Sequence, residues 1–289
     1  MLNLPSKPFA LVIQGDCLKV LPHLPAGCVD LTICDPPYES IERHRKVGTT
    51  TRLKDSKSSS NPWFKSFPNS LYPKLFAMLY DLHAANSHLY MFCDSETEHI
   101  VLSGTNPYHD TTPQHYQSIP AVTSWRAWPS LTWAKTKKGL TWKKLAGRTA
   151  SLAIAELDTT EIAAILVEDM ISTGMGYHWR RATEQILFLE KGKRKLNNLG
   201  YGSVLAGPRA GKKDYPVQKP LCVLDRLVEN STQPGEIVLD PFAGSGSAGQ
   251  AALNRGCSTI LIDRDISWMV EHLYLPQGAT MHLMRGEDL

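Results

Sequence analysis

The residues best equipped for chemistry stand together as Asp35-Pro36-Pro37-Tyr38. They follow a short apolar run, Val29–Cys34, broken only by Asp30 and Thr32. A buried strand ending in an acid, two prolines and an aromatic presents a rigid ledge at the carboxyl edge of a sheet. Open α/β sheets hold their ligands at that edge. The two prolines fix φ and remove two backbone donors, so the local carbonyls are left as acceptors. A carboxylate, a free carbonyl and a flat ring within one turn suit the grip of a planar amino group. The plain alternative is a turn with a capping Asp and a packed Tyr, and the tetrapeptide alone does not choose between them.

A second chemical feature lies far along the chain. An apolar strand over 237–239 runs into Asp240-Pro241-Phe242-Ala243-Gly244-Ser245-Gly246-Ser247. A helix over 248–254 follows, stopped by Gly256, and then a strand over 259–262 that ends in Asp263. Strand, glycine turn, helix, strand and acid make the nucleotide-binding half of a doubly wound fold. Gly244 and Gly246 let the backbone pass close to a ligand, and the helix start offers N–H groups to an anion. Asp263 is placed to accept from both hydroxyls of a ribose. Residues 244–249 also satisfy GxGxxG, so a dinucleotide site, and with it a nicotinamide-dependent oxidoreductase, competes for the same loop.

Composition sets the bounds within which these features work. With 289 residues and 42% hydrophobic content the chain can build one sizeable α/β domain. No stretch is long and apolar enough for a membrane span, and the first ten residues lack a signal-peptide core. The six cysteines are scattered without a CxxC pair, several of them inside apolar runs. That usage points to a reduced cytoplasm and to no metal site. His109 and His115 lack Cys or acid partners at metal spacing and read as surface residues.

The formal net charge is only +3, yet its distribution is uneven. Arg43, Arg45, Lys46, Arg52, Lys54 and Lys57 crowd the stretch after the tetrapeptide. Further basic clusters occupy 135–148, 191–195 and 209–213. All four fall in segments read as connections. One such run is ordinarily a solvated face, but four of them in an otherwise balanced chain favour a polyanionic partner.

The elements that must position these residues come next. Phe9–Gln14 reads as a strand ended by Gly15-Asp16, and 17–24 as a helix that stops at prolines. Asp16 either accepts from a ligand or caps that helix. Residues 39–69 form a long basic stretch with Trp63, Phe64 and Phe67 near its end, read as a mobile flap beside the site. A helix is expected over 70–84, with Leu71, Leu75, Met78, Leu79 and Leu82 on one side, then a strand over 89–93. Asp94 or Ser95 caps a further helix ending near Gly104; 106–129 reads as irregular and 131–135 as a strand. Asp158 and Glu161 resemble a capping box ahead of an apolar stripe of Ile162, Ile165, Leu166 and Met170. Residues 175–181 (MGYHWRR) interleave aromatic and basic side chains, and Trp179, Arg180 and Arg181 suit stacking on bases and pairing with phosphates. Residues 184–190 (EQILFLE) are a strong strand, 196–215 a Gly- and Lys-rich loop. Pro220 opens a helix as its first residue, with Leu221, Leu224, Leu227 and Val228 inward.

The combination of DPPY with a glycine loop written DPFAGSGS on a different strand resembles the amino-methyltransferases that act on DNA. With DPPY first and the glycine loop last, the order resembles the circularly permuted beta group. Gly15-Asp16, Lys219-Pro220 and the EQILFLEKGK strand add to the match, which spans about 11–265. The resemblance implies a single catalytic domain over 1–289. Its fold would be α/β, the Rossmann-like class I methyltransferase sheet of seven strands with the last antiparallel. It implies S-adenosylmethionine as methyl donor, double-stranded DNA as substrate, and a bacterial or phage setting. It admits a homodimer and a cognate restriction endonuclease as partners.

Carried over by position, Asp16 would lie by the cofactor's adenine and Asp263 by its ribose. Asp240, Phe242, Gly244 and Gly246 would wall the methionine end, with Lys219 near the same carboxylate. Asp35, Pro36, Pro37 and Tyr38 would hold a flipped-out target base. In this family an Asp at the first motif position goes mostly with adenine N6, and Ser with cytosine N4. Asp35 therefore points to N6-adenine methylation, with cytosine N4 the neighbouring alternative. Relative to the family, 140–173 is extra length, and 106–175 is expected to share in target recognition.

Overall fold

The computed structural model describes residues 2–39, 66–94, 97–98, 101, 117–118, 125–136, 183–208, 215 and 218–289. Ten strands form one sheet: β1 (Phe9–Gln14), β2 (Val29–Cys34), β3 (His83–Cys93), β4 (Gln117–Ser118), β5 (Trp125–Thr136), β6 (Thr183–Lys191), β7 (Val204–Pro208), β8 (Ile237–Asp240), β9 (Ser258–Asp263) and β10 (Thr280–Arg285). The helices bounded among the described residues are α1 (Cys17–Val20), α2 (Tyr72–Leu82), α3 (Leu221–Ser231), α4 (Ser247–Asn254) and α5 (Ser267–His272).

In space the strands run β10-β1-β9-β8-β2-β3-β6-β5-β4, with β7 beside β5. The stretch from β1 to β5 in that order is a seven-stranded mixed sheet in which β6 alone runs against the others. β10 extends it beside β1, while β4 and β7 both pair with β5. The seven expected strands are thus present, with three more added.

Strands buried on both faces explain the near-continuous apolar runs in β1, β2 and β9. Alternate residues feed two cores. On one face Phe9, Leu11, Ile13, Leu89, Met91 and Ile260 pack with Tyr72, Leu75, Phe76 and Leu79 of α2. On the other Leu31, Ile33, Tyr90, Phe92 and Val238 pack with Leu224, Leu227 and Val228 of α3 and Ala248 and Ala252 of α4. Fully burying one such side chain contributes roughly 1.5–3 kcal/mol, so these two layers fix which face each strand residue takes.

Several boundaries differ from the sequence expectation. His83 and Ala84 are strand rather than helix, because β3 begins where α2 stops and His83 is held by Thr32 and Ser87. β5 begins at Trp125, inside a stretch expected to be irregular. It accommodates Pro129 because its register shifts between Trp128 and Leu131, the kind of irregularity at which a strand tolerates proline. β7 lies in the presumed loop over 196–215, and its Val204 is largely exposed, so no apolar pattern marks it. Pro220 caps α3 rather than opening it, and Leu221 is exposed at the helix start instead of inward. α5 and β10 lie beyond the last element read from the sequence; β10 is mostly exposed. The expected helix after Asp94 and the stripe over 158–170 lie outside the described residues, in whole or in large part.

Candidate active site

β2 and β8 are neighbours, with Leu31 opposite Val238 and Thr32 opposite Leu239. Their parallel carboxyl ends therefore deliver Asp35 and Asp240 side by side. β2 connects onward to β3 on one side, while β8 leads to β9 on the other, so this is the point where strand order reverses. Open α/β sheets form their ligand crevice there.

On the β8 side the turn is built by glycine. Gly244 and Gly246 adopt φ of +49° and +77°, in the left-handed region that other residues enter only with strain. A Cβ on Gly246 would stand 2.9 Å from Met269 Cγ. Asp263 Oδ2 accepts from Gly244 N–H at 2.7 Å, and its other oxygen accepts from Asp265 N–H at 3.1 Å. Asp240 Oδ1 accepts from Phe242 N–H at 3.0 Å. Gly249, on the first turns of α4, faces β9 closely: a Cβ there would come within 2.6 Å of Leu261. Phe242 packs edge-on against Phe67, and Tyr215 lies over Gly244 and against Trp268.

The acids of this turn are held in an uncomfortable setting. Burial raises the Asp240 carboxyl well above the ordinary range, and Asp263 and Asp35 push it further, against the pull of Phe242 N–H and Lys219. Burial likewise raises Asp263, against its backbone donors. Burial and the acids at 263 and 265 push the Tyr215 phenol up to about 12. Asp16, at the start of α1, accepts from Leu18 N–H at 3.0 Å and pairs with Arg264 at 2.9 Å. Its capping reading is thus realised, and Arg264 is its ion partner.

On the β2 side the ledge is held by side chains. Tyr38 O–H donates to Asp35 Oδ1 at 2.6 Å, and Lys219 Nζ donates to Asp35 Oδ2. Pro37 carbonyl accepts from Phe67 N–H at 2.7 Å, which ties the ledge to the far end of the 39–69 stretch. Among the described residues no donor reaches the Pro36 carbonyl. Lys219 also stands 3.4 Å from Glu184 Oε2 and 5.0 Å above the Phe92 ring. Burial favours its neutral form, yet Asp35 and Glu184 outweigh that and raise the ammonium above its usual range. Cys34 points into the core, buried and with its thiol pushed up, so it is no nucleophile.

The structure therefore brings Asp35, Pro36, Tyr38, Lys219, Asp240, Phe242, Gly244, Gly246 and Asp263 to one sheet edge. Lys219 is found on Asp35. Glu184 was missed in the sequence. No local pattern marked it: its first residues lie at the carboxyl edge of the other strands only because β6 runs antiparallel. Tyr215 and Arg264 sit in loops that no pattern singles out. Arg43, Arg45, Lys46, Arg52, Lys54, Trp179, Arg180 and Arg181 lie outside the described residues, as do most of 39–69 and 106–175. Among the described residues no cluster could hold a metal, and no helix is long and apolar enough to cross a membrane.

A seven-strand sheet with one reversed strand, and a glycine turn and an acidic ledge meeting at its switch point, define the class I methyltransferase arrangement. Solved structures of that fold agree. The M1.HpyAVI–SAM complex superposes with a TM-score of 0.51 over 91% of this chain and 96% of its own, at 16% identity. The cytosine-N4-specific PvuII DNA methyltransferase gives 0.53 over 96% and 92%, at 12% identity. YubD of Escherichia coli (strain K12), whose name describes it as a methylase, is 25% identical over 244 residues, 84% of this chain and 80% of YubD. The sequence model of the N6/N4 DNA methylase family matches residues 29–269, and the chain belongs to that family. Membership answers the dinucleotide reading of the glycine loop.

Proposed function

We propose that the protein methylates the N6 amino group of adenine in double-stranded DNA, with S-adenosylmethionine as donor. One observation carries this reading: an oriented carboxylate, Asp35, and the Pro36 carbonyl, to which none of the described residues donates, stand at one sheet edge with a glycine turn. The residues present fit the donor. The turn is close-packed backbone, and its buried acid Asp240 lies with Asp263 and Asp35 and, among the described residues, with the one cation Lys219. A cationic ligand relieves that excess of buried negative charge. When bound, S-adenosylmethionine supplies an electrophilic methyl group. Asp240, Phe242, Gly244, Gly246, Asp263 and Asp16 would hold it; Lys219 is better assigned to Asp35, on its observed contacts.

An exocyclic amine is a poor nucleophile because its lone pair is delocalised into the ring. Asp35 and the Pro36 carbonyl each accept one N–H, which biases the nitrogen towards the tetrahedral form that attacks. Rigid placement of these two acceptors supplies most of the rate. The base must leave the duplex, at a cost of a few kcal/mol. Stacking on Tyr38 recovers ~1–3 kcal/mol of that. The hydroxyl bond to Asp35 keeps the ring in place for it. The basic stretch 39–69 and Trp179, Arg180 and Arg181 contact the DNA backbone and bases, and 106–175 shares in reading the target.

The base is identified by mass analysis of nucleosides from DNA treated with protein and donor. N6-methyladenine is expected. N4-methylcytosine would overturn the base assignment, and no methylated base at all, with the donor bound, would overturn the reaction.

A further inference from the structure

Two donors meet the Asp35 carboxylate, and a second carboxylate stands behind one of them. Lys219 comes from the residue just before the cap of α3, Tyr38 from the ledge itself, and Glu184 from the second position of β6. Tyr38 fixes one carboxylate oxygen and Lys219 the other, so the plane of the carboxylate is determined by two donors. The remaining lone pairs are then aimed by the protein rather than by the ligand. The quality of that aim depends on where the lysine ammonium sits.

A lysine ends in a compact charge on a flexible four-carbon stem, and one hydrogen bond does not locate it. Here its side chain is only 13% exposed, and two further features locate the ammonium. Glu184 Oε2 stands 3.4 Å from Nζ, and the Phe92 ring lies 5.0 Å beneath it. Asp240, from β8, also interacts electrostatically with Asp35, Asp263 and Lys219. A buried ammonium facing Asp35 alone, among apolar neighbours, would be less firmly charged than one shared between two carboxylates. We infer that Glu184 is a positioning residue for methyl transfer: through Lys219 it holds Asp35 in the orientation that receives the target amine. This rests on the reading of Asp35 as the acceptor of that amine.

Placement errors of about 1 Å cost up to about 10²-fold in rate, which sets the scale of the effect. Glu184→Gln, Lys219→Met, the double variant and Asp35→Ala are compared in steady-state methylation of DNA, with melting temperatures measured alongside. Glu184→Gln is expected to lower kcat about tenfold, with the KM values for DNA and donor within about twofold of wild type. Adding Glu184→Gln to Lys219→Met is expected to cost nothing further, because the route to Asp35 is already gone. If Glu184→Gln unfolds, Glu184→Asp, with its carboxylate drawn back by one methylene, takes its place and must show the same loss in kcat. A wild-type kcat, a loss confined to KM, or an equal loss in both backgrounds would overturn the role of Glu184. With Asp35→Ala inactive, those outcomes leave the acceptor reading standing. An active Asp35→Ala removes both.

Discussion

The two walls of the crevice are built by different means. The β8 wall is backbone: two glycines with positive φ, held by carboxylates that accept main-chain N–H groups, with Met269 and Tyr215 pressed against it. The β2 wall is side chain: a proline ledge whose carboxylate is aimed by a phenol and an ammonium. A backbone wall is set by steric fit and fails abruptly when an atom is added. A side-chain wall is set by charge and hydrogen bonds, and its failures are graded. Under the proposed function, the wall assigned to the cofactor is thereby rigid, and the wall assigned to a base arriving from a duplex is tunable.

The largest expected effect is on the side-chain wall. Asp35→Ala removes the charged acceptor and lowers methyl transfer about 10³-fold, on the scale of losing one preorganised electrostatic partner. Donor binding, followed by calorimetry, stays within about twofold of wild type. Loss of donor binding in that variant would mean that the walls are not separable.

On the backbone wall, Gly246→Val adds a Cβ where Met269 Cγ already stands 2.9 Å away, at φ of +77°. Strain in the left-handed region alone costs roughly 1–2 kcal/mol. The variant is expected to melt lower and to show no thermal shift with S-adenosylmethionine. An undiminished shift would place the cofactor elsewhere.

Tyr38→Phe keeps the stacking ring and deletes the 2.6 Å bond to Asp35. A lost hydrogen bond to a charged group is worth about 1.5–3 kcal/mol, so kcat is expected to fall by roughly tenfold or more while KM for DNA holds. A rise in KM with unchanged kcat would show that the hydroxyl serves binding and not aim.

These contrasts follow how much the sequence disclosed. DPPY and DPFAGSGS were legible because proline, glycine and acid at a strand end leave few conformations open, and β1, β2, β8 and β9 were legible because apolar runs with sharp stops mark doubly buried strands. The seven-stranded sheet with one reversed strand came from the family resemblance, since local pattern does not reveal which strands pair. Glu184 and the Lys219–Asp35 pair were hidden because they join residues 184, 219 and 35, and only the sheet order brings them together. β7 and β10 were hidden by exposure, and the first half of β5 by a proline that its register shift absorbs.

The smallest effect lies away from both walls. His83 and His88 are buried, and burial drives their pKa values down to about 3 and about 4 from 6.5. Below about pH 6.5 the unfolded chain binds more protons than the folded one, so stability falls towards about pH 4. The slope is ~1.4 kcal/mol per pH unit for each histidine. The raised Asp240 and Asp263 carboxyls act oppositely, since the folded chain takes up their protons first as pH falls. Comparing wild type with His88→Asn isolates the histidine. Between about pH 7 and about pH 5 the variant should lose less stability to urea than wild type, whatever its starting level. Equal losses would mean that His88 titrates normally.

The central claim is that an extruded adenine presents its amine to Asp35 and Pro36 across from the Gly244 turn. A crystal structure with target DNA and a non-reactive donor analogue tests it directly. The account predicts the exocyclic nitrogen at about 3 Å from both an Asp35 oxygen and the Pro36 carbonyl, with the analogue on the glycine turn. A base seated away from Asp35, or an analogue bound on another edge of the sheet, would contradict it.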